Sequence, residues 1–279
     1  MFQNSKYEIN DSINYMTQEN LAISDKLPKS DIINPKFMEG VIRVEHLYKS
    51  FGDKHILVDF DFTLKKGEQV AILGKSGSGK SVFIKCLIGL LRPDTGSICI
   101  FDEDITQMTY HELDLVRVKM GFLFQSNALY DSMTIRENLE FPLRRRSIDM
   151  TKEQTDTQVL KVLTNVGLAH TLDMMPIELS GGMQKRIALA RTLILNPEII
   201  LYDEPTTGLD PITGREISNL IVKIGEEYKT SAIIISHDMN CIRLTAHRIV
   251  VLIDGKCYAQ GTYEELKNSD DTNIKQFFE

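Results

Sequence analysis

The sequence predicts an α/β fold with a mainly parallel sheet covered on both faces by helices. Three observations carry that expectation. From residue 41 onward, short β-branched runs alternate with stretches of helical spacing. The runs at 70–73, 199–202, 232–235 and 249–253 are apolar throughout, as strands buried on both faces are. Gly52 and Gly67 punctuate the earliest runs where turns belong.

Residues 1–39, rich in Asn, Ser, Asp and Lys with Pro28 and Pro35, read as an extension outside the core. The core is expected over 40–279. Its first strand is placed at 41–44 and its second at 56–64, where Leu57, Asp59, Asp61 and Thr63 alternate. Further strands are expected at 70–73, 98–101, 121–124, 199–202, 232–235 and 249–253. Helical patterns fall at 81–91, 134–145, 152–166, 183–195, 212–227 and 262–268. An insert from about 126 to 178 shows helices and no convincing strand.

A chain of 279 residues can bury one substantial core and carry an inserted subdomain. The net charge of -7 argues against sequence-independent nucleic-acid binding, which relies on a basic surface, so no nucleic-acid partner is expected. Cys86, Cys99, Cys241 and Cys257 lie far apart with no CxxC pair and read as reduced, mostly buried thiols. No stretch reaches the roughly 18 to 20 apolar residues that cross a bilayer, and no apolar segment follows Lys6 and Glu8. The chain is therefore expected in the cytoplasm, with any membrane work done through a partner subunit.

Three motifs carry chemistry. Gly74, Lys75, Ser76, Gly77, Ser78, Gly79, Lys80 and Ser81 follow an apolar strand and open a helix, the context in which GxxxxGK[ST] binds phosphate. Glycines turn successive N–H groups inward, the helix N-terminus adds positive potential, Lys80 reaches the β and γ phosphates and the Ser81 hydroxyl can ligate Mg2+. Asp203 and Glu204 end an apolar strand, where alternation would send them to opposite sides. Asp203 is suited to hold Mg2+ through water, and Glu204 to polarise the water attacking the γ-phosphate. Between these two motifs lie Leu179, Ser180, Gly181, Gly182 and Met183. Ser180 is a good N-cap, and the helix from Met183 aims its positive end at an anion.

With these motifs in this order, residues 41 to 260 resemble the nucleotide-binding subunits of ATP-binding cassette (ABC) transporters. The resemblance implies a P-loop NTPase (RecA-like) core, an N-terminal antiparallel β subdomain and an inserted helical subdomain. It further implies ATP and Mg2+ as cofactors, with Val82 continuing the phosphate loop. Gln125 matches the glutamine that contacts Mg2+ and senses the membrane partner, and Ser180, Gly181 and Gly182 match the signature that caps ATP on the other subunit. Met183 stands where glutamine is most common. Asp210, in Gly208-Leu209-Asp210, resembles the D-loop aspartate, His237 the switch histidine, and Phe51 the aromatic that stacks on adenine, with Tyr48 as second candidate.

The stretch from Phe122 to Thr134, then Glu137-Asn138-Leu139 and Phe141-Pro142-Leu143, resembles the ATPase subunit of Mla-type (MCE-associated) phospholipid transporters, as do Asp210-Pro211-Ile212-Thr213 and Ile274-Lys275-Gln276-Phe277-Phe278. This implies a homodimer of ATPase subunits, an integral-membrane permease dimer, an MCE substrate-binding protein, and a peripheral position on the cytoplasmic face of the inner membrane. Leu129, Tyr130 and Met133 are candidate contacts for a permease coupling helix, or pack the insert's own core. Arg144, Arg145 and Arg146 are a solvated face or face anionic headgroups, and Phe277 and Phe278 are expected to pack on their own domain or on the opposite subunit. The alternatives are a small-solute (amino-acid-type) importer and, remotely, a soluble ABC ATPase.

Overall fold

The structure, a computed structural model, describes residues 40–146 and 150–279. The extension expected over 1–39 lies outside the described residues.

The chain opens with β1 (Gly40–Phe51), β2 (Lys54–Lys65) and β3 (Gln69–Leu73), then α1 (Lys80–Leu87). After β4 (Thr95–Ile100) and the short β5 (Glu103–Asp104) come α2 (Tyr110–Val118) and β6 (Met120–Leu123). The insert holds α3 (Ile135–Arg145) and α4 (Lys152–Asn165). The path continues through α5 (Gly181–Leu193), β7 (Ile199–Asp203), α6 (Pro211–Tyr228), β8 (Ser231–Ile235) and α7 (Met239–Thr245). It closes with β9 (Arg248–Ile253), β10 (Lys256–Gly261), α8 (Tyr263–Lys267) and α9 (Thr272–Lys275).

The strands form two sheets. An antiparallel sheet has the order β2-β1-β4-β5, and a six-stranded sheet the order β10-β9-β3-β8-β7-β6, parallel but for the β9–β10 pair. Every residue of β3 and β8 is buried, which explains their unbroken apolar runs. Crossovers between parallel strands need helices, and the six-stranded sheet carries one apolar cluster on one face and two on the other.

The alternation expected in β2 is not one face. Asp59 adopts a φ of 50°, and the β1–β2 register shifts between the Leu47–Phe60 and Lys49–Leu57 pairs. This bulge resets the parity, so Leu57 is buried with Phe60, Phe62 and Leu64, while Asp59 and Asp61 face solvent. β5, β10, α2, α7 and α9 are also additions to the sequence reading. β10 hid because its six residues alternate only between exposed and half-buried. α2 carried a legible start, a Thr109–Glu112 capping box.

The insert is not independent of the sheet. Leu139 and Leu143 of α3, Val159 and Leu163 of α4, and Ile187 and Leu193 of α5 share one cluster with Leu123, Ile200 and Tyr202 of the strands. Leu129 packs against this cluster, and the Tyr130 ring meets Phe141 at 4.8 Å. Buried Asn138 ties down the segment before α3: Tyr130 N donates to its Oδ1, and its Nδ2 donates to the carbonyls of Tyr130, Met133 and Thr134.

Arg146 pairs with Asp114 at 3.6 Å, while Arg144 and Arg145 are exposed. Phe277 and Phe278 pack on their own domain, the latter edge-on to Tyr263 at 5.4 Å. All four cysteines are free thiols, and burial pushes the Cys86 thiol up to about 11.

Candidate functional site

The site is a cleft of about 650 Å3 at the carboxyl ends of β3, β7 and β8. Phe51, Lys54 and Ile56 form one wall, and the loop from Ser76 to Val82 its floor. Gln125, Asp203, Glu204, Thr207, Ile235 and His237 complete it. Crevices outside the carboxyl ends of parallel strands are where such folds bind ligands.

Glycine is required in the loop by contact and by dihedral. A Cβ on Gly74 would sit 2.6 Å from the Leu252 carbonyl oxygen. Gly79 has a φ of 110°, in the left-handed half of the map, and its Cβ would meet the Ile56 carbonyl at 2.9 Å. With Gly79 as its N-cap, α1 begins without a side-chain cap, so no side chain answers its first N–H groups. Lys80 is buried and donates to the carbonyls of Gly74 at 2.6 Å and Lys75 at 3.0 Å. Burial pushes its ammonium pKa down, against the attraction of Glu204 and Asp203. An uncapped N-terminus, a glycine cradle and a half-satisfied buried ammonium fit a polyphosphate.

Asp203 ends β7. Burial, then repulsion from Glu204, raises its carboxyl pKa, with Lys80 and Lys185 opposing. Among the described residues no group of three or more His, Cys, Asp and Glu could hold a metal. A divalent ion here would therefore rest on few protein oxygens, those of Ser81, Asp203 and Gln125, and on phosphate oxygens, the usual pattern for Mg2+.

Glu204 departs from the alternation expected of it. The strand stops at Asp203, and Glu204 adopts a φ of 52° while its N–H donates to the Ile235 carbonyl at 2.8 Å. Both carboxylates consequently line the same cleft. Glu204 is held there by Thr207 Oγ1, which donates to its Oε2 at 3.0 Å, and by the His237 N–H at 3.4 Å, while His237 Nε2 stands 3.3 Å from Oε1. Thr206 Oγ1 donates to Asp238, tying the β7 and β8 loops together.

Phe51 is half exposed at the end of β1, with the Lys49 ammonium 5.5 Å from its ring centre. Tyr48 lines no part of this cleft. Gln125 follows β6 and its side chain is exposed toward the cleft. Of the remaining loop residues, Gly74 lies in the turn, and Lys75 and Ser78 line a neighbouring cleft of about 590 Å3 on the loop's other side.

Ser180, Gly181, Gly182, Met183 and Asp210 stand outside the cleft. Ser180 caps α5 by accepting from Met183 N at 3.3 Å. Met183 is half-buried against the insert cluster. Gln184 donates to the carbonyls of Pro176 and Leu179, so it braces the approach to the helix. Asp210 caps α6 through Ile212 N and Thr213 N, both at 3.0 Å, and the Thr213 hydroxyl hydrogen bond is foremost in lowering its pKa.

Sequence reading missed Lys54, Ile56, Thr207 and Ile235. Thr207 had a signal, three residues beyond Glu204 on a turn; Lys54 had none, since a lysine at the start of a strand reads as solvated.

Residues 57–207 match the family model described as "ABC transporter". The chain is 42% identical over 242 residues to the probable ribonucleotide transport ATP-binding protein mkl of Mycobacterium tuberculosis, covering 86% of this chain and 67% of the relative. It is 38% identical over 239 residues to the intermembrane phospholipid transport system ATP-binding protein MlaF of Haemophilus influenzae, covering 86% and 90%. A dimeric ATP-binding cassette in a post-hydrolysis state, bound to ADP and Pi, superposes with a TM-score of 0.72 at 33% identity, covering 79% of this chain and 98% of that one. A phosphate-loop cleft, a carboxylate pair turned into it and this breadth of similarity have one reading: the chain belongs to the ABC transporter family, as one of its ATP-hydrolysing subunits.

Proposed function

We propose that this subunit powers phospholipid transport across a bacterial envelope, through a permease dimer and an MCE protein, from the cytoplasmic face of the inner membrane. What supports the lipid cargo is similarity running over 90% of a phospholipid-transport ATPase, together with the insert's own resemblance to that group. Residues 40–279 are taken as the ATPase domain, with the helical subdomain at about 126–178. Two copies face each other, so that Ser180, Gly181, Gly182 and Met183 of one reach the ATP held by the other, and Asp210 lies at the seam. Their position outside the chain's own cleft supports that arrangement.

Phe51 stacks on adenine, the N–H groups from Gly77 to Val82 hold the phosphates, and Lys80 shifts from the loop carbonyls to the β and γ oxygens. Ser81, Asp203 and Gln125 would hold Mg2+, which when bound would neutralise charge on the phosphates. Glu204 takes a proton from the attacking water, and His237 holds that carboxylate in place and meets the γ-phosphate. ATP favours the closed dimer over the open one, and that difference drives the permease.

The test is mass spectrometry of the proteins and lipids that co-purify with the full chain from gently solubilised membranes. A permease, an MCE protein and phospholipid are expected. A permease with no MCE partner would move the cargo to a small solute or, as the mycobacterial relative's description has it, a ribonucleotide.

A further inference from the structure

Lys185 sits in the second turn of α5 and is only 2% exposed. Its ammonium carries three donors, and among the described residues it donates to the Gln125 carbonyl oxygen at 2.9 Å. A buried charge is tolerated when it is paired, and this one also stands close enough to attract the Asp203 carboxylate. A methionine of similar length would fill the same space without desolvating a charge. The lysine therefore does something that packing does not require.

What it holds is a turn under stress. Asn127 and Ala128, two and three residues beyond Gln125, have φ values of 62° and 53°, consecutive left-handed conformations in residues that carry a Cβ. The buried Asn127 Oδ1 has no hydrogen-bond partner. A loop strained in this way keeps its place only if its surroundings hold it. On the β6 side, the bond from Lys185 is a tether from α5 to the residue whose side chain enters the cleft.

We propose that Lys185 is a positioning residue that latches the Gln125 main chain to the signature helix, so that the Gln125 side chain enters the ATP cleft only in register with α5. The proposal rests on the ATP-site reading above. It makes the position of one subunit's Gln125 depend on the helix whose N-terminus faces the other subunit's nucleotide.

The chain has no tryptophan, so Phe124→Trp places a single reporter beside Gln125 in the full-length protein. In that background Lys185→Met should raise acrylamide quenching about twofold and leave Mg-ATP affinity within about threefold. In the permease complex it should lower kcat about tenfold with KM little changed, the pattern of an interaction used in the transition state rather than in binding. Lys185→Arg should restore both quenching and kcat. Should Lys185→Met fail to fold, Lys185→Leu, which also removes the donor, is read by the same measurements. Unchanged quenching and unchanged kcat in a folded variant would overturn the latch and leave the ATP site standing. Failure of the unsubstituted full-length chain to bind Mg-ATP would instead overturn the site reading, and the latch with it.

Discussion

Glu204 is the residue at which local backbone energetics and chemistry meet. A left-handed conformation in a glutamate stores roughly 1–3 kcal/mol, released if the peptide relaxes. Here it is held by the 2.8 Å bond to Ile235 O and by Thr207 and His237 on the carboxylate. The benefit is directional: an extended Glu204 would point away from the cleft that Asp203 faces. Glu204→Gln preserves shape and hydrogen-bond capacity but removes the proton acceptor. It should retain ATP binding and trap the closed dimer while cutting turnover by roughly 10² to 10⁴, measured by phosphate release beside size-exclusion chromatography in ATP. Turnover within twofold of the parent would remove Glu204 from the role of base.

At the scale of elements, α5 and α6 are packed together at a glycine. Gly182 in the first turn of α5 has no room for a side chain, because its Cβ would lie 2.6 Å from Thr213 Cγ2 at the start of α6. Gly181 is open, its nearest neighbour being Leu209 at 4.0 Å. Overpacking costs about 1–3 kcal/mol, while Gly to Ala in a helix recovers less than about 1 kcal/mol. Gly182→Ala should therefore lower Tm by several degrees, and Gly181→Ala should leave it unchanged or raise it slightly, as followed by scanning calorimetry. Equal shifts would show that the α5–α6 contact yields easily. Arg186 adds a second tie between these helices, reaching Glu216 at 2.7 Å.

Across the whole molecule the two sheets are joined at Arg248. Its guanidinium donates to both Glu68 oxygens at 2.8 and 3.1 Å, to the Thr63 carbonyl of β2 at 2.6 Å and to Gln260 of β10 at 2.8 Å. Burial would raise the Glu68 carboxyl, but Arg248 and the Lys65 N–H outweigh it and hold the pKa below its ordinary 4.5. A carboxyl depressed in this way contributes stability above its unfolded pKa and loses it as pH falls through the folded value. Arg248→Met should cost about 2 kcal/mol at neutral pH, since it leaves a half-buried carboxylate unpaired. The gap from the parent should narrow below about pH 4.5 in urea titrations. A gap that stays constant with pH would place the loss in packing alone.

The phosphate loop, the Asp203–Glu204 pair, the Ser180 cap and the parallel strands were legible in the sequence, because each is determined by residues within a few positions of one another. Gly74 to Ser81 make a nest from their own backbone, and β3 and β8 announce double burial in their own composition. The tertiary structure alone decided the parity reset at Asp59, the turn that brings Glu204 beside Asp203, the crowding of Gly182 by Thr213 and the reach of Lys185 to Gln125. Each of these depends on atoms from a segment distant in the chain, and a sequence of side chains does not say which distant backbone will stand within 3 Å of them.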